Sequence, residues 1–441
     1  MEPIIALATP PLKGALALIR VSGDGVFALA QKLFDKPFGP LEKPSLLHGR
    51  IMGKDGPIDD VVLLCYPQGK SMTGEEAVEV SCHGSMLIAN QIVEAFTSLG
   101  ARYANPGEFT MRSYLNGKMD LVEAEAVNDL INAQTEAGKK LALLSLSGEA
   151  SKAFKPVLER IASLMALLET NIDFPEYEDI EVASIEKVIA ECSAIQKELS
   201  RLIKEGQEGR YVKEGLKIAI LGEPNVGKSS ILNALLGEEK AIVTALPGTT
   251  RDIVEGELSI RGIPVRLLDT AGLRDSEDVI ERIGIEKSMK AKEEADLVLV
   301  VLDASKPLNE EEKALLESCD EGKTIVCYNK SDKLSDKDGD KLYISALNGQ
   351  VEPLREAIVE KIGLNDFSFS TPSLSNNRQL GLLKAIYEDL TAAIEGAKSG
   401  IGIALVSSSL LHAYNKGRAL LGLDPTLDLA EEIFSRFCVG K

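Results

Sequence analysis

The chain has 441 residues, 44% of them hydrophobic and 27% charged, which suits about three folded domains and excludes wholesale disorder. Its formal net charge is −19, with the acidic excess between residues 119 and 372, so a nucleic-acid partner would need a local basic patch on the near-neutral ends. No run of 18 apolar residues is present, and the start MEPIIALATPPLKG lacks a secretory pattern. Six scattered cysteines without a CxxC pair (Cys65, Cys82, Cys192, Cys319, Cys327, Cys438) speak for a reducing, cytoplasmic setting and against a disulfide scaffold or zinc ribbon.

Residues 1–118 read as α+β. ALALIRV (15–21), DVVLLCYP (60–67) and EAVEVSCHG (76–84) are predicted strands, and LIANQIVEAFTSLG (87–100) is a predicted helix closed by Gly100. Residues 119–211 change to long amphipathic helices, the last extending to Gly206. Residues 212–372 alternate strand and helix: LKIAILG, PVRLLDTAG, DLVLVVLDAS, KTIVCYNK and KLYISAL are β-branched runs of a mostly parallel sheet. Residues 373–441 return to helix. The expected architecture is multidomain α/β + α, with an α/β domain (212–372) inserted into a discontinuous helical domain (119–211 and 373–441) behind an N-terminal α+β domain (1–118).

Strand KIAIL runs into Gly222-Glu223-Pro224-Asn225-Val226-Gly227-Lys228-Ser229, followed by Ser230 and a helical run. This is GxxxxGKS in its required strand–loop–helix context. Backbone N–H groups of such a loop and its helix N-terminus point at phosphate oxygens. Lys228 adds charge at the β/γ-phosphates, and the Ser229 hydroxyl suits Mg²⁺. Asn329-Lys330-Ser331-Asp332 follows strand TIVCY about 100 residues later. The Asp332 carboxylate can accept from guanine N1–H and N2–H₂, which adenine does not offer. Ser345-Ala346-Leu347 could offer a backbone N–H to guanine O6. The nucleotide is therefore expected to be GTP or GDP.

Asp269-Thr270-Ala271-Gly272 ends a predicted strand. Asp269 suits an outer contact to Mg²⁺, and the Gly272 N–H suits the γ-phosphate. Gly248-Thr249-Thr250-Arg251-Asp252 offers the Thr250 hydroxyl to Mg²⁺. Both loops are candidate order–disorder switches. Leu273 follows Gly272 and cannot orient water, so the task falls to another group; Asp275, Glu277, Asp278 and Glu281 are downstream candidates. Asn225 offers either a ligand to a monovalent cation or a loop-stabilising Asx hydrogen bond.

GEPNVGKSS, GTTRD, DTAGLR, IERIGIEKS, NKSD and the terminal FCVGK, with ATPPLKG, IRVSG, SMTGEEAVEVSCHG and NPGEFTMRSYLNGKMDLVEAEAV, together resemble the MnmE (TrmE) family of tRNA modification GTPases across essentially the whole chain. The resemblance implies a Ras-like P-loop GTPase domain and joint action with the flavoprotein MnmG on C5 of the wobble uridine of certain tRNAs. It also implies a homodimer, a K⁺ site at Asn225, Thr244, Leu246 and Thr249 in the loop that includes Ala245 and Pro247, and Glu281 as the water-orienting residue. For a tetrahydrofolate derivative (5-formyl or methylene), the family's contacts fall on Arg20, Glu79, Lys118 and Lys441. The start departs from the family's PPGRGG, having PPLKGA with Leu12 and Ala15, which puts that turn in question.

Cys438 is fourth from the end, but CVGK is no prenylation signal. The resemblance suggests a catalytic role for it; the other reading is a small buried thiol. Cys82 and His83 are adjacent in a predicted strand, face opposite sides and cannot pair. The rival functions for a chain of this pattern are a ribosome-assembly GTPase, usually with a basic RNA-binding appendage, and a regulator of a membrane transporter.

Overall fold

Period-two burial builds the first sheet. In the computed structural model, β1 (Ile4–Leu7), β2 (Leu16–Ser22), β3 (Ser45–Gly53), β4 (Gly56–Tyr66), β5 (Ala77–His83) and β6 (Arg102–Tyr103) form a sheet of order β3-β4-β5-β2-β1-β6. Every pairing is antiparallel except β1 with β6. On β2, Ala17, Ile19 and Val21 point into the core, which puts Arg20 on the opposite face. Helices α1 (Val26–Leu33) and α2 (Met86–Ser98) cover the apolar face, and Ile92 and Phe96 join that core. The described residues are 1–173, 184–238, 254–269, 294–334, 336, 338–364, 371–399, 403–424, 430, 433–435, 437 and 440. They cluster into two units, 1–128 with 418–441, and 129–417.

In the first unit, α3 (Glu108–Leu115) and the start of α4 (Leu121–Asn132) follow the sheet. The Arg112 guanidinium is buried between Glu75 at 3.1 Å and Glu108 at 2.9 Å. Arg102 grips the same Glu108 with two nitrogens at 2.7 and 3.0 Å. Burial opposes ionisation of Glu108, but Arg102 and Arg112 outweigh it and lower its pKa. The chain returns here at its other end: Tyr114 and Leu121 pack with Phe434, and the Tyr114 hydroxyl donates to Gly422 O at 2.8 Å. The PPLKGA segment closes its turn, with Leu12 N–H donating to Pro10 O and Gly14 N–H to Gly84 O.

The second unit contains α5 (Glu136–Leu146), α6 (Glu149–Asp173) and α7 (Ile185–Glu214), then the α/β layer. That layer comprises β7 (Leu216–Leu221), α8 (Lys228–Glu238), β8 (Val254–Ile260), β9 (Ile263–Asp269), β10 (Leu297–Asp303), α9 (Glu310–Glu317), β11 (Thr324–Asn329), β12 (Leu342–Tyr343) and α10 (Glu352–Lys361). The sheet order is β12-β11-β10-β7-β9-β8, parallel except for β8. β10 is buried along its whole length, which is why LVLVVLD reads as a continuous apolar run. Leu141 of α5 and Val212 of α7 share one core with Ile218, Leu297 and Val301 of the sheet. α11 (Asn377–Lys398) packs along α7, and α12 (Ile403–Leu421) follows.

Helix α7 does not stop at Gly206. It runs on to Glu214 and closes with Gly215 at φ 84°. Gly206 is in the helix because the neighbouring chain comes too close for a side chain: a Cβ there would lie 2.3 Å from Leu374 O. Gly381 in α11 has nothing within 4 Å of the same position. The two glycines therefore predict opposite outcomes. Gly206→Ala should lower thermal stability by about 1–3 kcal/mol through overpacking. Gly381→Ala should raise it by about 0.5–1 kcal/mol through helix propensity. Thermal melts of the two variants check the sign.

Candidate functional site

The phosphate loop is built where β7 ends against β10. Gly222 has φ 147°, and a Cβ there would meet Val301 O at 2.3 Å. Gly227 has φ 100°, and a Cβ there would meet Asn329 Nδ2 at 2.2 Å. Between them Asn225 adopts φ 65°, a left-handed conformation that asparagine tolerates better than most residues. Val226 turns inward, 3% exposed, and anchors the loop in the core. Lys228 begins α8, and its Nζ donates back to Gly222 O (2.5 Å) and Glu223 O (3.0 Å). The ammonium is thus held inside the curve of its own loop. Ser229 and Ser230 are exposed in the first turn of α8.

The residues after β11 reach across to this loop. Asn329, 3% exposed, donates from Nδ2 to Val226 O at 2.9 Å and accepts from Ala346 N–H at 3.1 Å. Lys330 has φ 64°, and its Nζ donates to Asn225 O and Asp303 Oδ2, each at 2.7 Å. Asp332 accepts from the Ser345 hydroxyl at 2.6 Å. That bond, with smaller contributions from nearby lysines, lowers the Asp332 pKa, so the group is an acceptor-only carboxylate near neutral pH. Of the Ser345–Leu347 segment, the Ala346 N–H is committed to Asn329, and Leu347 is 83% exposed. Asp303 was not among the residues read from the sequence. Its signal was available: it is the acid that ends the most apolar strand.

Burial pushes the Asp303 pKa up, but the Lys330 ammonium and the Ser305 hydroxyl and N–H overcome that and hold it at about 2. A depressed carboxylate contributes stability that is present above its unfolded pKa and lost as pH falls through the folded value. Asp303→Asn should therefore melt below the parent at pH 7, and the gap should close between about pH 4 and pH 2, as measured by melts across that range.

Several candidate residues lie outside the described residues: Thr244, Ala245, Leu246, Pro247, Gly248, Thr249, Thr250, Thr270, Ala271, Gly272, Glu281, Cys438 and Lys441. Asp269 is the last residue of β9.

In the first unit, Arg20 and Glu79 are directly opposite on β2 and β5, on the sheet face away from the core. Arg20 Nε donates to Glu79 at 2.8 Å, and Arg20 is 5.6 Å from the Phe109 ring centroid. Arg20 also donates to Gly440 O at 3.3 Å, bringing the C-terminal end of the chain to this pair. Tyr66 borders it: burial and the Glu79 charge raise its pKa against the opposing Arg20. Lys118 Nζ donates to Gly69 O at 2.8 Å. His83 Nδ1 is 2.8 Å from Asp59, while Cys82 is buried on the other side of β5 and pushed up to about 11 by burial.

Two family models match the chain in succession: the GTP-binding protein TrmE N-terminus over residues 3–118 and the MnmE helical domain over residues 121–438. The tRNA modification GTPase MnmE of Aquifex aeolicus is 42% identical, with 100% of each chain covered. The protein of the same description from Lactiplantibacillus plantarum is 37% identical over 100% of this chain and 98% of its own. Among solved structures, the G domain of the T. maritima FeoB iron transporter is 32% identical over 33% of this chain and 98% of its own, with a TM-score of 0.25. Matched over 3–118 and 121–438 by the two models and over its whole length by these relatives, the chain belongs to the MnmE (TrmE) family of tRNA modification GTPases.

Proposed function

We propose that this tRNA modification GTPase couples hydrolysis of GTP to modification of C5 of the wobble uridine, acting as a homodimer in the cytoplasm together with the flavoprotein MnmG. The observation that carries the reading is the single constellation joining loop 222–229, Asn329 and the ionised Asp332. The loop receives the phosphates on its N–H groups, Lys228 balances their charge, and Asp332 accepts from the guanine edge. Ser345 fixes the rotamer of Asp332, so the carboxylate is aimed before the base arrives. Among the described residues no helix is long and apolar enough to cross a membrane.

Mg²⁺ would be held by Ser229 and Thr250, with Asp269 behind them, and supplies charge neutralisation at the phosphates. K⁺ would be held by Asn225, Thr244, Leu246 and Thr249, and supplies a positive charge at the transferring phosphoryl group. The left-handed turn at Asn225 suits this, since it leaves the side chain exposed at the loop. Leu273 has no group that can orient the attacking water; among the acidic residues downstream, the family resemblance assigns that task to Glu281. A tetrahydrofolate derivative, supplying the one-carbon unit, suits the Arg20–Glu79 pair: a pteridine offers donors to a carboxylate, and its acidic tail suits cations such as Lys118 and Lys441. Cys438 takes part in the modification chemistry. In this reading residues 1–118 bind the folate, 119–211 with 373–441 form the helical domain, and 212–372 hydrolyse GTP.

GTP turnover by the purified chain should be faster in K⁺ than in Na⁺ by roughly tenfold or more. Glu281→Ala should lower the K⁺ rate by about a hundredfold or more while GDP affinity is kept. Parental turnover by that variant in K⁺ would remove Glu281 from its role.

A further inference from the structure

Resting on the reading of loop 222–229 as the phosphate cradle, we propose that Asn309 is a positioning residue for that loop, acting through the side chain of Glu223. The two are 86 positions apart, and Asn309 Nδ2 donates to Glu223 Oε1 at 2.5 Å. Asn309 is well placed to be an anchor. It is the N-cap of α9, where its Oδ1 accepts from Glu312 N–H at 2.8 Å and its own N–H donates to Glu312 Oε2 at 3.1 Å. Glu312 is 6% exposed, and α9 is seated by Leu315 and Leu316 on the core that contains Val300 and Leu302. With Oδ1 committed to the helix, the amide has its N–H₂ left to turn toward the loop.

The other ties onto the loop hold its far half. Lys330 fixes Asn225 O and Asn329 fixes Val226 O. Glu223, on the near half, is held by Lys228 from within the loop and by Asn309 from outside it. Lys228 is the same ammonium that must serve the phosphates. Asn309 therefore keeps the near half in place independently of how Lys228 divides its donors. Two of the three positive-φ positions in the loop, Gly222 and Gly227, are glycines with wide backbone freedom, so each outside tie counts.

The substitution Asn309→Asp separates this role from helix capping. Aspartate caps a helix as well as asparagine does, but it offers no donor and sets a second carboxylate against Glu223. The experiment is stopped-flow release of a fluorescent GDP analogue from the full chain, with a thermal melt beside it. The variant should melt within about one degree of the parent, since the cap is retained, yet release GDP about three- to tenfold faster. In the double variant Glu223→Gln with Asn309→Asp, donor and acceptor exchange places, and slow release should return. An unchanged release rate in the single variant, or fast release that the double variant does not correct, would overturn the role of Asn309. A parental chain that fails to retain the GDP analogue would contradict the nucleotide reading itself, a distinct outcome.

Discussion

Asn329 donates to Val226 O and accepts from Ala346 N–H, so one planar amide fixes the phosphate loop against the segment that carries Ser345. Ser345 in turn orients Asp332. Asn329 thus links the 222–229 loop to the Ser345 segment, and Lys330 adds a second tie from the same turn to Asn225 O. Losing the amide would leave two buried backbone groups without partners, at about 1–3 kcal/mol each. Gly227 belongs to the same constraint, since any Cβ there would occupy the space of the amide nitrogen.

The sheet makes this constraint possible. β7 and β11 flank the fully buried β10, and their C-terminal ends deliver Gly222, Asp303 and Asn329 to one edge. Parallel strands require crossovers, so residues far apart in the chain emerge side by side at that edge. α7 enters the sheet through Gly215, and Arg210 is tied to Asp296 at 2.6 Å, whose other oxygen accepts from Lys217 N–H at 3.1 Å. Helices and sheet thus share one core, in which Val226 anchors the 222–229 loop.

The strand–loop–helix form at 222–229 and the turn after β11 were legible because each is a short local sequence pattern. The parallel sheet was legible from its apolar runs. Other features had no local signature. Strands β1 and β6 are four and two residues long and exist through pairing with each other and with β2. Helix α3 buries Glu108, Thr110, Arg112 and Ser113, so no apolar periodicity marks it. Gly206 read as a helix end because glycine serves both as a terminator and as a close-packing residue; only the approach of Leu374 distinguishes the two. The Asp303–Lys330 pair and the Asn309–Glu223 tie join residues 27 and 86 positions apart, which no spacing rule connects. For Arg20 and Glu79 the family resemblance supplied the pairing of interest, and the strand register then explains why they meet.

Calorimetric titration of the purified chain with GDP, GTP and ATP tests the central claim most directly. The joined loop and carboxylate require tight binding of both guanine nucleotides, with ATP weaker by at least about a hundredfold. Equal affinity for ATP, or no heat of binding with GDP and GTP, would contradict the account.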